Sequence, residues 1–102
     1  MPLSPQQIRY LRGLTHHLQP VVTVADKGLS ENVLAELEAA LTKHELIKVK
    51  LRAERELRKS WIEQIGLQLK AERVHAIGQV ASFYRRNKKK SVINLPGSKP
   101  GG

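Results

Sequence analysis

Two strand-like segments, each followed by a longer helix-like segment, constrain the fold of this chain more than any other feature. The first, VVTVA at residues 21–25, is short and β-branched, which is typical of a buried strand. The second, ELIKVKL at residues 45–51, alternates apolar with basic side chains and predicts a strand with one buried face and one basic, solvated face. Because strands separated by helices can return in the same direction, these two are expected to pair in parallel.

The first helix is predicted at the N-terminus. Ser4 followed by Pro5 is a helix start, with serine as the N-cap, and the apolar spacing extends the helix over residues 4–17. Gly13 lies inside this helix, where glycine costs about 1 kcal/mol relative to alanine. A close packing contact would explain its presence.

Two more helices and a terminal hairpin complete the predicted elements. Ser30 is a good N-cap for the second helix, and the third is predicted over residues 54–70. Trp61 belongs to the apolar stripe of the third helix and is therefore assigned to the core. Two short strands at residues 74–78 and Val80–Tyr84 are joined by a turn at Gly78-Gln79 and predict an antiparallel pair.

The resulting order, α-β-α-β-α-β-β, predicts an α/β two-layer sandwich with a small mixed four-stranded sheet. The chain has 102 residues, which fits one domain. We expect this domain to span residues 1–96 and to be followed by a flexible tail at residues 97–102.

The charge of the chain lies mainly at its ends. Of the net charge of +9, residues 1–25 carry +2, residues 26–72 balance to zero, and residues 73–102 carry +7. Such a concentrated excess predicts a polyanionic partner, with nucleic acid ahead of an anionic membrane surface. The N-terminal segment has no apolar signal region, and no run of residues is long and apolar enough to span a bilayer, so we expect a cytoplasmic protein.

The segment VADKGLS connects the first strand to the second helix. Lys27 and Gly28 fit a tight turn, but they also fit a loop that grips a phosphate backbone beside a helix N-terminus. From spacing alone both interpretations stay open. A Walker-type arrangement is absent, so nucleotide hydrolysis is not indicated.

A second basic element, RRNKKK, follows the aromatic pair Phe83 and Tyr84. Five bases in six positions could follow a phosphate backbone, and Tyr84 could stack on a base. The alternative is a solvated charged turn with Phe83 in the core. The basic strand face, formed by Lys48, Lys50 and Arg52, supports a shared binding surface.

No residues with the spacing of a catalytic or metal site are found. The imidazoles are His16, His17, His44 and His75, and they show no compact ligand spacing. The chain has no cysteine, which excludes disulfides, thiolate metal sites and a cysteine nucleophile. We therefore expect no catalysis, no cofactor, no metal and no small-molecule substrate.

Several segments together resemble one known family. The stretches LRGLTHHLQPVV, GLSENVLAELEAAL and HELIKVKL, with the later IGQVASFYRRN, are similar to the CRM domain, named for chloroplast RNA splicing and ribosome maturation. The bacterial stand-alone version is the YhbY type. The similarity covers nearly the whole chain up to its tail.

The resemblance implies a fold related to the C-terminal domain of translation initiation factor three, and RNA binding without catalysis on precursors of the large ribosomal subunit. The family's RNA-binding Gly-x-x-Gly loop falls on ADKG, with Gly28 as its second glycine. Ala25 replaces the first glycine and would be strained if that position required a positive φ. Arg86 stands where the family commonly has proline.

Taken together, these observations predict a monomeric protein that binds ribosomal RNA. The alternative is a protein-interaction module that docks an acidic ribosomal partner on its basic face. Arg9 and Arg12 of the first helix are weaker candidates for RNA contacts. The main candidates are Ala25, Asp26, Lys27, Gly28, Lys48, Lys50, Arg85, Arg86, Lys88, Lys89 and Lys90.

Overall fold

Three helices and four strands follow one another in the predicted order. The computed structural model describes residues 3–87 and 91–97. The elements are α1 (Pro5–Thr15), β1 (Pro20–Val24), α2 (Glu31–His44), β2 (Leu46–Leu51), α3 (Arg55–Leu69), β3 (Glu72–Ile77) and β4 (Val80–Tyr84). The α/β class and the element order are as predicted. Of the predicted tail, only Gly97 lies within the described residues.

Side-chain caps define where the first two helices begin. The Ser4 hydroxyl accepts the Gln7 N–H at 3.1 Å, and the Gln7 side-chain oxygen accepts the Ser4 N–H at 3.0 Å. At α2, the Ser30 hydroxyl accepts the Val33 N–H at 3.2 Å. These bonds satisfy amides that have no partner within the helix, as the sequence predicts for both serines.

The prediction of a close packing contact at Gly13 is wrong. A Cβ placed on this residue would meet nothing within 4 Å, apart from its own helix. The glycine is exposed, so the close approach of another element does not require it.

The four strands form one mixed sheet in the order β1-β2-β4-β3. β1 and β2 are parallel, as expected from the helix between them, whereas β4 runs antiparallel to both β2 and β3. The turn between β3 and β4 has Gly78 at its first position with a φ of +55°, as type II′ turns require. This turn pairs β4 with β3, and the other edge of β4 pairs with β2, so β4 lies between them in the sheet.

The main core lies between the sheet and the two helices α2 and α3. It is built from alternate residues of three strands and from the inner faces of both helices. Its buried members are Val22, Val24, Leu37, Leu41, Ile47, Val49, Leu51, Trp61, Ile65, Leu69, Ala71, Ala81 and Phe83.

α1 covers part of the opposite face of the sheet. A second cluster joins Leu11 of α1 to Leu46, Val74 and Tyr84 of the sheet. Residues 91–97 form no helix or strand, but Ile93 and Leu95 pack against this cluster. The main contacts of α1 with the sheet are to β2 and β3, and the side chains of Val21 and Thr23, which β1 places on this face, are exposed. Within the same residues, no helix is long and apolar enough to cross a membrane.

Candidate nucleic-acid interface

A closed turn follows β1 at residues 25–28. The Gly28 N–H donates to the Ala25 carbonyl at 2.8 Å, which fixes the turn. Gly28 has a φ of +63°, in the left-handed region that favours glycine. The side chain of Trp61 lies beneath it, and a Cβ at Gly28 would be 3.7 Å from the indole Nε1. That is an ordinary contact distance, so the backbone angle rather than lack of space makes glycine necessary here.

Ala25 does not have the positive φ that would strain it. Among the described residues other than glycine, only Glu45 and Lys70 have a positive φ. The turn therefore needs one glycine, at Gly28, and alanine is accommodated at the position of the family's first glycine.

Two charged side chains project from the middle of this turn. Asp26 and Lys27 are both exposed, whereas Trp61 is only 7% exposed and belongs to the main core, as predicted. α2 begins at Glu31, so the partial positive charge of its N-terminus follows Lys27 by a few residues along the chain.

The lysines of β2 lie on the sheet face opposite the main core, as the alternation predicts. Lys50 pairs with Thr23 of β1, so it lies at the same end of the sheet as the turn at residues 25–28. Lys48 lies two residues further back, and its Nζ donates to the Leu18 carbonyl just after α1 at 3.2 Å. Both lysines are half-buried and keep their charged ends on the α1 side of the sheet.

α1 adds basic side chains to the same face. Arg9, Arg12 and His16 are exposed and follow one another at helical spacing. Burial, followed by the charges of Arg12, His16 and Lys48, lowers the pKa of His75 on β3. The sequence does not predict this clustering of histidines with arginine and lysine, because spacing along the chain does not show which elements the fold brings together.

Nearly all basic side chains of this surface lack an acidic partner. Within residues 3–87 and 91–97 the one ion pair joins Arg85 to Glu38. The cations of the turn, of β2 and of α1 therefore form no ion pair with a carboxylate of the described residues. In those residues there is also no group of three or more histidine, aspartate or glutamate side chains that could hold a metal ion.

Arg85 is held by contacts inside the protein. Its guanidinium donates to both Glu38 carboxylate oxygens, at 2.8 and 2.6 Å, and also to the Leu69 carbonyl at 3.1 Å and the Thr42 hydroxyl at 3.0 Å. The bond with Arg85 lowers the pKa of Glu38, and the same bond raises the pKa of Arg85. Arg85 thus connects β4 with α2 and α3, and its role as an RNA contact stays a prediction.

The rest of the basic element RRNKKK is described only in part. Arg86 is exposed immediately after β4. Lys88, Lys89 and Lys90 lie outside the described residues. The role of these residues as RNA contacts therefore stays a prediction.

Glu45 organises the chain on both sides of that element and was missed by sequence analysis. It follows α2 with a φ of 64° and is fully buried. Its carboxylate accepts the backbone N–H groups of Asn87, of Val92 at 2.7 Å and of Ile93 at 2.8 Å. The alternation in ELIKVKL predicts Glu45 at the start of a strand, and no local pattern indicates that its partners lie more than 40 residues away.

Comparison with known proteins identifies relatives over nearly the whole chain. Residues 3–85 match the family model of the CRS1 / YhbY (CRM) domain. A Pseudomonas aeruginosa protein named a probable RNA-binding protein is 47% identical over 98 residues, which cover 93% of this chain and 94% of that protein. A Haemophilus influenzae protein named an RNA-binding protein is 46% identical over 95 residues, covering 92% of this chain and 95% of that protein.

A solved structure shares the fold. The solution structure of a hypothetical Staphylococcus aureus protein, of proposed RNA-binding function, superimposes with a TM-score of 0.79. The two chains are 31% identical, and the match covers 93% of this chain and all of the other.

Proposed function

The chain belongs to the CRS1 / YhbY (CRM) domain family, and from this membership we propose that it is a non-catalytic RNA-binding protein. The proposed contact combines the turn at residues 25–28 with the basic sheet face beside it. One observation carries the proposal: within the described residues, the cations of this surface have no carboxylate partners. Unpaired lysine and arginine side chains are available to neutralise phosphates, which supply most of the affinity of sequence-independent RNA binding.

The turn has the features that a phosphate contact needs. Lys27 is exposed and flexible, and the left-handed Gly28 allows a ligand to approach the backbone closely. The N-terminus of α2 adds a favourable dipole, although the Ser30 hydroxyl is already used by the Val33 amide. Asp26 opposes binding and has to turn away from the phosphate. The arrangement is comparable to the loop with which KH domains clamp a nucleic-acid backbone.

We propose ribosomal RNA in large-subunit precursors as the target, with the protein acting as a cytoplasmic monomer during ribosome assembly. The names of the relatives support RNA as the class of partner, and the family resemblance supports the ribosomal target. Binding of this kind depends steeply on salt, because each neutralised phosphate releases counterions.

The test compares two charge reversals, Lys27→Glu at the turn and Lys59→Glu at an exposed position on α3, on the other side of the sheet. The probe is a labelled transcript of large-subunit precursor rRNA, titrated at several potassium chloride concentrations. We expect Lys27→Glu to weaken binding several-fold and to flatten the salt slope by at least about one unit. Lys59→Glu should bind nearly as the parent does.

Equal binding by Lys27→Glu and the parent at low and moderate salt would remove the turn from the proposal. If the parent does not bind the transcript, and the purified protein carries no nuclease-sensitive RNA, the RNA proposal itself fails. An acidic protein partner would then be the remaining explanation for the basic face.

A further inference from the structure

Basic and titratable side chains from three elements meet on the sheet face that α1 partly covers. Lys48 and His75 both pair with Ser82, one on each side of β4, so all three side chains share one face. With strands about 4.8 Å apart, the α-carbons of Lys48 and His75 are separated by about 10 Å. Their side chains are long enough to approach one ligand from opposite sides.

α1 brings two further basic groups to this place. Leu11 packs against Val74 and Tyr84, which holds the helix over β3 and β4. Arg12 and His16 are four residues apart, so they lie on one side of the helix, and both are exposed. The pKa of His75 is lowered first by burial and then by Arg12, His16 and Lys48, which is consistent with these groups being close together.

Among the residues that the structure describes, none of the groups that shift the pKa of His75 is acidic. The groups that act on His75 from α1 and β2 are all basic, and the residue that faces it from β4 is the uncharged Ser82. On β3 itself, the carboxylate of Glu72 accepts the Leu3 N–H at 3.0 Å. Like charges held together without a counter-charge destabilise the folded protein, and an anion bound among them would remove that cost.

We propose that Arg12, His16, Lys48 and His75 form a second phosphate site for RNA, and that protonation of His75 strengthens binding there. This inference rests on the proposed function, because the ligand is a phosphodiester of the same RNA that the turn at residues 25–28 contacts. Lys50 connects the two places, since it lies two residues from Lys48 along β2 and pairs with Thr23 next to the turn. The RNA backbone thus follows the open part of the sheet face from the turn toward α1.

The direction of the pH effect follows from the charges. In the free protein, burial and basic neighbours disfavour the protonated imidazole of His75. A bound phosphate favours that form and raises the pKa of His75, so binding takes up a proton. RNA affinity therefore increases as pH falls through the range between the free and bound pKa values, by up to about tenfold per pH unit for one proton.

The first experiment measures binding of a labelled oligouridylate from mildly acidic to mildly alkaline pH at constant ionic strength. Uracil does not titrate in this range, so the protein is the source of any pH dependence. We expect the parent to bind more tightly at lower pH and His75→Gln to lose most of that slope. His44→Gln is the matched control, because His44 is exposed at the end of α2 and is not one of the groups that lower the pKa of His75.

A second experiment needs no substitution. NMR titration of the histidine ring protons, with and without oligouridylate, should show the pKa of His75 rising on binding. An unchanged pKa of His75, or a pH slope that persists in His75→Gln, overturns the second site. If RNA binding is sensitive to Lys27→Glu but not to pH, this inference alone fails. If the parent binds neither oligouridylate nor precursor rRNA, the proposed function fails as well.

Discussion

Replacing Glu45 is expected to release the C-terminal segment from the rest of the domain. The carboxylate is buried after α2 and accepts the backbone amides of Asn87, Val92 and Ile93. In Glu45→Gln the side chain keeps its size but loses its charge and one of its acceptor oxygens. The side-chain NH2 group of the glutamine would face backbone N–H donors, and because it is itself a donor it cannot accept a hydrogen bond from them.

Two responses to this change can be compared. One oxygen of Glu45 accepts the Val92 and Ile93 amides and the other accepts the Asn87 amide, so glutamine can keep the first two bonds only, with a neutral acceptor. Hydrogen bonds to a charged acceptor contribute about 1.5–3 kcal/mol each and neutral ones about half as much, so losing one and weakening two with the segment kept in place would cost about 3–6 kcal/mol. Detachment of residues 91–97 costs less, because water then solvates the amides and the main loss is the packing of Ile93 and Leu95. These half-buried side chains contribute about 1 kcal/mol each. We therefore expect local detachment and a loss of about 2–4 kcal/mol in the free energy of unfolding.

The measurements are urea unfolding and amide hydrogen exchange at Val92 and Ile93. Glu63→Gln, at an exposed position on α3, is the control for loss of a carboxylate and should leave both unchanged. Glu45→Gly should be less destabilising than Glu45→Ala by about 1 kcal/mol, since glycine tolerates the φ of 64° found at this position. The reasoning is refuted if the free energy of unfolding of Glu45→Gln lies within about 0.5 kcal/mol of that of the parent, which is the size of a neutral surface change, and if the Val92 and Ile93 amides exchange as slowly in the variant as in the parent.

Three further predictions concern two backbone positions and the ion pair between Arg85 and Glu38. Gly13→Ala should raise the free energy of unfolding by about 0.5–1 kcal/mol, whereas Ala25→Gly should lower it slightly and leave RNA affinity unchanged, because Ala25 has no positive φ. Urea unfolding and RNA titration check both, and tighter RNA binding by Ala25→Gly would contradict the geometry of the turn. The lowered pKa of Glu38 means that its bond with Arg85 stabilises the fold above the ordinary glutamate range and is lost as pH falls through the pKa of folded Glu38. Because Glu38 is half exposed, the free energy of unfolding of the parent should exceed that of Arg85→Gln by only about 1 kcal/mol at neutral pH. Unfolding curves at acid pH should show a smaller difference. A difference that does not change with pH would contradict the assignment.

The elements of the fold were predictable because their signals are local. Ser4 and Ser30 bond to amides three residues away, and the alternation in ELIKVKL separates a buried face from a basic face within seven residues. The parallel pairing of β1 and β2 followed from the helix between them. Gly13 was misinterpreted because a glycine in a helix has the same sequence signature whether or not another element packs against it.

The candidate site was predictable only where exposure follows from a local pattern. Lys27 at a turn and Lys50 on a strand face are placed by their neighbours in sequence. By composition Arg85 belongs to the basic element RRNKKK, yet in the structure its guanidinium donates a hydrogen bond to Glu38, 47 residues away. The histidines were examined for ligand spacing, and that test does not detect a group of cations that come from separate elements.

The sequence by itself determined the class of the fold, the order of its elements, the family and the charge that favours an RNA partner. Periodicity, capping and composition act over a few residues, so they can be read without knowing the fold. Only the tertiary structure decided that β4 lies between β2 and β3, that α1 covers one face of the sheet, and that Glu45 holds the chain near its C-terminus. The same long-range pairing placed His75 and Lys48 on either side of Ser82, on one face of the sheet. Contacts between residues so far apart depend on which strands pair and in which register, and no local pattern of this chain specifies both.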